Sequence, residues 1–159
     1  MYRAKAAFTL VEILIVVIIL GILASIVVPR LSDVTTISRE TNLKENLSKI
    51  RVHIEVYRNQ HVALPTAADL GRQLTMPTNS QGDVSATRSA EYRFGPYLEQ
   101  MPPNPITNSA VIRAASGADE QFPPGDADGG WWYNETTGRF YVDLTDAHAD
   151  QQGNPYNRY

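Results

Sequence analysis

The sequence predicts an α+β protein: a long N-terminal helix, membrane-spanning in its first half and amphipathic in its second, packed against a small antiparallel β-sheet head. Three observations carry that expectation. Residues 8–28, FTLVEILIVVIILGILASIVV, hold one ionisable side chain, Glu12. Leu43, Leu47, Ile50, Ile54 and Tyr57 recur at intervals of four and three, which is one stripe of a helix. Near the C-terminal end, Trp131 to Asn134 and Arg139 to Leu144 flank a turn at Glu135 to Gly138, and Phe140, Val142 and Leu144 alternate as they do in a strand covered on one face.

The apolar run is long enough to cross a hydrocarbon core of roughly 30 Å at about 1.5 Å per residue. A secretory signal would stop after about 7 to 15 apolar residues at a small-residue site, whereas bulky residues continue here to Pro29. A soluble core helix rarely stays apolar on every face over such a length. Arg3 and Lys5 precede the run, and basic residues on the short side place that side in the cytoplasm and the rest of the chain outside. Glu12 is the anomaly. A carboxylate at the bilayer centre costs about 2.5 to 3.5 kcal/mol on insertion scales, less near the interface, so Glu12 needs either the headgroups or a partner.

Basic leader, Phe8-Thr9-Leu10-Val11-Glu12, apolar run, Gly21 and Pro29 occur together in register. In this the chain resembles the superfamily of type IV pilins and type II secretion pseudopilins over about its first 30 residues, and most resembles a major pseudopilin, because the head is short and the chain has no cysteine. The resemblance implies a pilin-like fold and a structural subunit rather than an enzyme. It also implies processing by a prepilin peptidase between Ala7 and Phe8 and N-methylation of Phe8. The leader ends in Ala7 where those families place Gly.

The role that resemblance gives Glu12 is physically sensible. A new amino group buried among packed helices is a charge in low dielectric, and a neighbouring subunit's Glu12 would offset it and set the axial register. Gly21 and Pro29 sit where these proteins loosen the helix, and each acts by a known route: glycine lowers helix propensity, and proline removes the amide that would bond the carbonyl of Ser25.

The expected organisation is a leader at residues 1–7, a transmembrane and filament-core helix at 8–29, and a periplasmic head at 30–159 that includes the second half of the helix at about 31–61. No Gly or Pro occurs from Leu31 to His61, so the helix can run on for roughly 80 Å in all. Ile37 falls off the stripe and is expected to face a neighbouring subunit. Pro65 ends the helix, and Thr66 with Asp69 reads as a capping box for a short helix carrying Leu70 and Leu74. Residues 76–88 read as a loop, Ala110 to Ala115 as a strand, and Asp146 to Tyr159 as a polar tail with a turn at Gly153 to Tyr156.

With 159 residues, 43% hydrophobic, the chain holds one membrane helix and one modest domain. A net charge of -3 and the absence of a later basic cluster argue against a nucleic-acid partner. No HExxH, GxSxG or phosphate-loop pattern occurs. His53, His61 and His148 are expected at surface or boundary positions, and Trp131 and Trp132 in the core. Asp126-Ala127-Asp128 starts like a calcium loop, but Gly130 and Thr137 stand where an EF-hand needs oxygen ligands. The resemblance adds that major pseudopilins bind calcium near a C-terminal loop, but the spacing of that loop is not matched here; the segment is expected to be a solvated turn and no cofactor is expected, with Asp126 and Asp128 the candidate ligands of the calcium alternative.

The expected work is polymerisation in a type II secretion pseudopilus that helps drive protein export. The expected partners are copies of the chain itself, the prepilin peptidase, an inner-membrane assembly platform and minor pilin-like subunits. Before assembly the chain would sit in the inner membrane, and afterwards in a filament in the periplasm or at the cell surface. The alternatives are a type IV pilus pilin serving adhesion, motility or DNA uptake, and a single-pass tether for a binding domain.

Overall fold

The computed structural model describes residues 9–115 and 125–159, with the backbone alone for residues 26–34. Helix α1 spans Leu10–His61 without interruption. It starts because the Thr9 hydroxyl and carbonyl both accept from the Glu12 amide, at 3.2 and 3.1 Å, which satisfies a donor that a bare helix end would leave orphaned. It stops at Val62, whose φ of 55° is left-handed, while His61 Nδ1 lies 3.0 Å from the Tyr57 carbonyl and takes up an acceptor of the last turn. The helical path runs through Gly21 and position 29 alike.

The chain divides into two compact units, residues 1–38 and 39–159. In the first, the described part of the apolar run is helical and its large side chains from Leu10 to Leu23 are about half exposed or more on every side of the helix. Among the described residues no helix is long and apolar enough to cross a membrane. The expected span at residues 8–29 is not confirmed, since Phe8 and the side chains of residues 26–29 lie outside the described residues. The leader, Ala7 and Phe8 lie outside the described residues, as does the side chain of Pro29.

In the second unit, the stripe from Leu43 to Tyr57 is buried against a three-stranded sheet, β1 (Ile112–Ala115), β2 (Trp131–Asn134) and β3 (Phe140–Val142), in that order. Trp131, Tyr133, Phe140, Val142 and Leu144 supply the facing layer, and Leu70 and Leu74 of α2 (Leu70–Thr75) close one side of it with Leu98. The β2–β3 hairpin is antiparallel as expected, Tyr133 opposite Phe140 and Trp131 opposite Val142. Its turn is held by the Asn134 side-chain oxygen, which accepts from the amides of Thr136 and Thr137 at 2.9 and 3.1 Å.

Four expectations need correction. The sheet is mixed rather than antiparallel, since β1 pairs parallel to β2. A parallel pair needs a crossover of about a dozen residues or more, and the stretch between Ala115 and Trp131 supplies it, whereas the short turn after Asn134 allows a hairpin. The capping box at α2 is not made: Asp69 gives no side-chain cap bond and instead pairs with Arg72 at 3.1 Å, while the Thr66 amide donates to Gln73 Oε1. Trp131 is fully buried but Trp132 only half so, because adjacent strand residues point to opposite faces.

The fourth correction concerns residues 146–159, which are a packed element and not a tail. Tyr156 is buried, opens a 3-10 turn at Tyr156–Arg158, and donates its hydroxyl to Glu40 at 3.0 Å. Lys44 Nζ lies 4.7 Å from the centre of the Tyr159 ring, and Arg51 donates from Nε to the Phe140 carbonyl at 2.9 Å and from Nη2 to the Tyr159 backbone. Burial pushes the Tyr156 hydroxyl up to about 12, with the Glu40 bond adding to it.

Candidate functional site

Two places concentrate the chemistry foreseen from the sequence: the first turn of α1 and the loop that leads into β2. At the helix start, Thr9 and Glu12 stand in the T-x-x-E relation of a capping box. Thr9 therefore has a task that sequence reading passed over, although its spacing from Glu12 was the available signal. The Glu12 side chain is exposed, on the turn where the positive end of the helix dipole favours a carboxylate. The apolar side chains that follow on every face find too little cover in this chain to bury them. At Gly21 an added Cβ would meet nothing within 4 Å among the described residues, so no contact there asks for glycine.

In the loop, Asp126 and Asp128 are both exposed, and the Asp126 carboxylate accepts the amide of Asp128 at 3.3 Å. The buried acid nearby is Asp143, which the sequence reading did not single out. Its Oδ1 and Oδ2 each lie 3.2 Å from Arg113 Nη1, and Oδ1 also accepts the Asp126 amide at 3.3 Å. Burial raises the affinity of the Asp143 carboxylate for a proton, and Arg113 pulls the other way.

The loop carbonyls are occupied as well. Asn104, fully buried, donates to the carbonyl of Gly130 at 3.1 Å, and the Thr107 hydroxyl donates to that of Gly129 at 2.8 Å. A Cβ on Gly129 would lie 1.9 Å from the Asp143 carbonyl oxygen and one on Gly130 would lie 2.4 Å from that of Val111, so only glycine lets these strands close. A calcium ion asks for 6 to 8 oxygen ligands. Among the described residues one Asp126 oxygen and the Gly129 carbonyl already accept N–H or O–H donors, a guanidinium faces the buried carboxylate, and no three of His, Cys, Asp and Glu form a metal-holding group. The donor set of the described residues alone does not make a calcium site.

The histidines do not converge on a site. His53 is half-exposed, with partial burial and Lys49 holding it below its ordinary value. His61 is buried, contrary to the surface expectation: its ring stacks on Tyr57 at 3.8 Å and its Nε2 meets the Thr78 hydroxyl at 3.0 Å. A histidine at the end of an amphipathic stripe, one turn after Tyr57, was the sequence signal for that. His148 meets Thr145 Oγ1 at 3.1 Å.

Known proteins place these features. Residues 2–28 match the prokaryotic N-terminal methylation motif. Type II secretion system core protein G of Vibrio cholerae is 32% identical over 108 residues, covering 67% of this chain and 68% of that protein. The protein of the same description from Pseudomonas aeruginosa is 30% identical over 145 residues, which is 83% of this chain and 98% of the relative. A type IV narrow pilus major component of Thermus thermophilus is 38% identical over 64 residues, 40% of this chain and 54% of its own length. No solved structure gives a significant match. Similarity at this level across nearly the whole of a relative, with a methylation motif over the start of the long helix, shows that the chain belongs to the type II secretion core protein G family, the major pseudopilins.

Proposed function

We propose that this chain is a structural subunit of a type II secretion pseudopilus that polymerises through its apolar N-terminal helix to help drive protein export. The observation that carries the reading is the surface of α1 from Leu10 to Leu23, where large apolar side chains stay about half exposed or more all round the helix. Each such side chain gains roughly 1.5 to 3 kcal/mol on full burial, and only lipid or other copies of this helix can bury all faces at once. The family relatives support the same reading, since pseudopilins and pilins are structural subunits, and no catalytic role is assigned to any residue here.

In this reading a prepilin peptidase cuts between Ala7 and Phe8, Phe8 is N-methylated, and residues 8–29 anchor the chain in the inner membrane with the N-terminus cytoplasmic. Extraction into the filament then pairs each Phe8 amine with Glu12 of a neighbour, and Gly21 and Pro29 let the core helix loosen. An assembly platform and minor pilin-like subunits complete the machinery. The methylation motif over residues 2–28 supports the processing step. The Thermus relative favours a surface pilus, but it aligns with 40% of the chain where the secretion relatives align with 67% and 83%.

Intact-mass spectrometry of the protein, purified from cells that carry the peptidase, tests the processing directly. The expected product begins at N-methyl-Phe8. A mature protein that keeps Met1 to Ala7 would point to a plain membrane tether.

A further inference from the structure

We propose that Arg113 is the built-in cation of the 125–130 loop, so that this head closes and stays closed without calcium. The sheet register makes the arrangement. Arg113 of β1 lies beside Trp132 of β2, and Trp132 beside Tyr141 of β3, so these three share the outer face. Two residues beyond Tyr141 on that face, Asp143 buries its carboxylate completely, while the Arg113 side chain remains 43% exposed. The guanidinium passes over the Trp132 ring, 5.9 Å from its centre, to reach both carboxylate oxygens at 3.2 Å.

A buried carboxylate is costly without a counter-charge, and a cation held on the protein meets that need at no dependence on solution metal. The carboxylate in turn receives the Asp126 amide and so fixes where the loop returns to the sheet. In the same loop the Gly130 carbonyl, the Gly129 carbonyl and one Asp126 oxygen accept from Asn104, Thr107 and the Asp128 amide. An arginine is suited to the position because its Nη1 reaches both carboxylate oxygens while the guanidinium lies over an aromatic ring.

Thermal unfolding of the full chain in detergent, followed by tryptophan fluorescence, tests this. The wild-type midpoint should be the same to within about 1 °C in EGTA and in about 1 mM calcium, a concentration that fills extracellular calcium modules. Arg113→Gln should lower the midpoint by about 5 °C in either medium, and Arg113→Lys should recover part of the loss. The double variant Arg113→Gln with Asp143→Asn, which removes both charges, should be more stable than Arg113→Gln alone. Calcium raising the wild-type midpoint by more than about 3 °C would overturn the proposal, because a ligand that binds only the folded state must stabilise it. So would an Arg113→Gln variant as stable as wild type, or a double variant no better than the single. The readout is independent of secretion and of fibre formation.

Discussion

Asp150 shows how one side chain can order a segment that composition marks as a tail. Its carboxylate accepts the amides of Gln152 and Asn154 at 2.8 Å each, the Asn154 side-chain amide at 2.9 Å and the Tyr159 hydroxyl at 2.6 Å. The Tyr159 bond, followed by that from Asn154, holds this acid well below the usual carboxylate range. A carboxylate whose folded value is depressed adds stability above its unfolded value of about 3.9 and loses it as pH falls through the folded value. Asp150→Ala should therefore lower the melting temperature at neutral pH, and the gap from wild type should narrow as pH drops below about 4. A gap that is constant down to pH about 2 would show that the contribution is not electrostatic. This residue was hidden in the sequence because an aspartate acting through short-range hydrogen bonds leaves no periodic trace. Asn104 was hidden for the same reason among three prolines, whereas Thr9 was legible from its spacing to Glu12.

At the scale of elements, what could be read were the patterns with a period. The Leu43 to Tyr57 stripe repeats with the helix and the Phe140 to Leu144 alternation with the strand, and both bury the residues they name. Pairing between distant segments has no such signature. The parallel partnership of β1 with β2 is set by the path between them, and the packing of residues 146–159 on α1 is set by Tyr156, Glu40 and Arg51 acting together. The two sides of α1 should accordingly answer differently to truncation. Ile50 is fully buried, and Ile50→Ala should cost about 2 to 5 kcal/mol of head stability in denaturant unfolding. Ile37, 49% exposed, should cost less than about 1 kcal/mol on the same measure while reducing fibre yield. An Ile37→Ala variant that unfolds as easily as Ile50→Ala would place its side chain in the core of the protein instead of at a subunit contact.

For the molecule as a whole, the two units answer to different surroundings. In the 39–159 unit the apolar core residues, from Leu43 to Tyr156, are buried in one cluster. The apolar helix of the first unit has no such cover among the described residues, since its large apolar side chains from Leu10 to Leu23 are about half exposed or more. Glu12 lies exposed one turn into the helix, and the proposed pairing with a neighbouring subunit's amine is the step that its removal would test. The most direct measurement is the amount of this chain in sheared fibres, seen by electron microscopy and quantified by immunoblot, from cells carrying the secretion machinery. Wild type should form fibres, and Glu12→Ala should lose them while its head melts at the wild-type temperature; a wild-type chain absent from every fibre, or a Glu12→Ala chain that builds normal ones, would contradict the account.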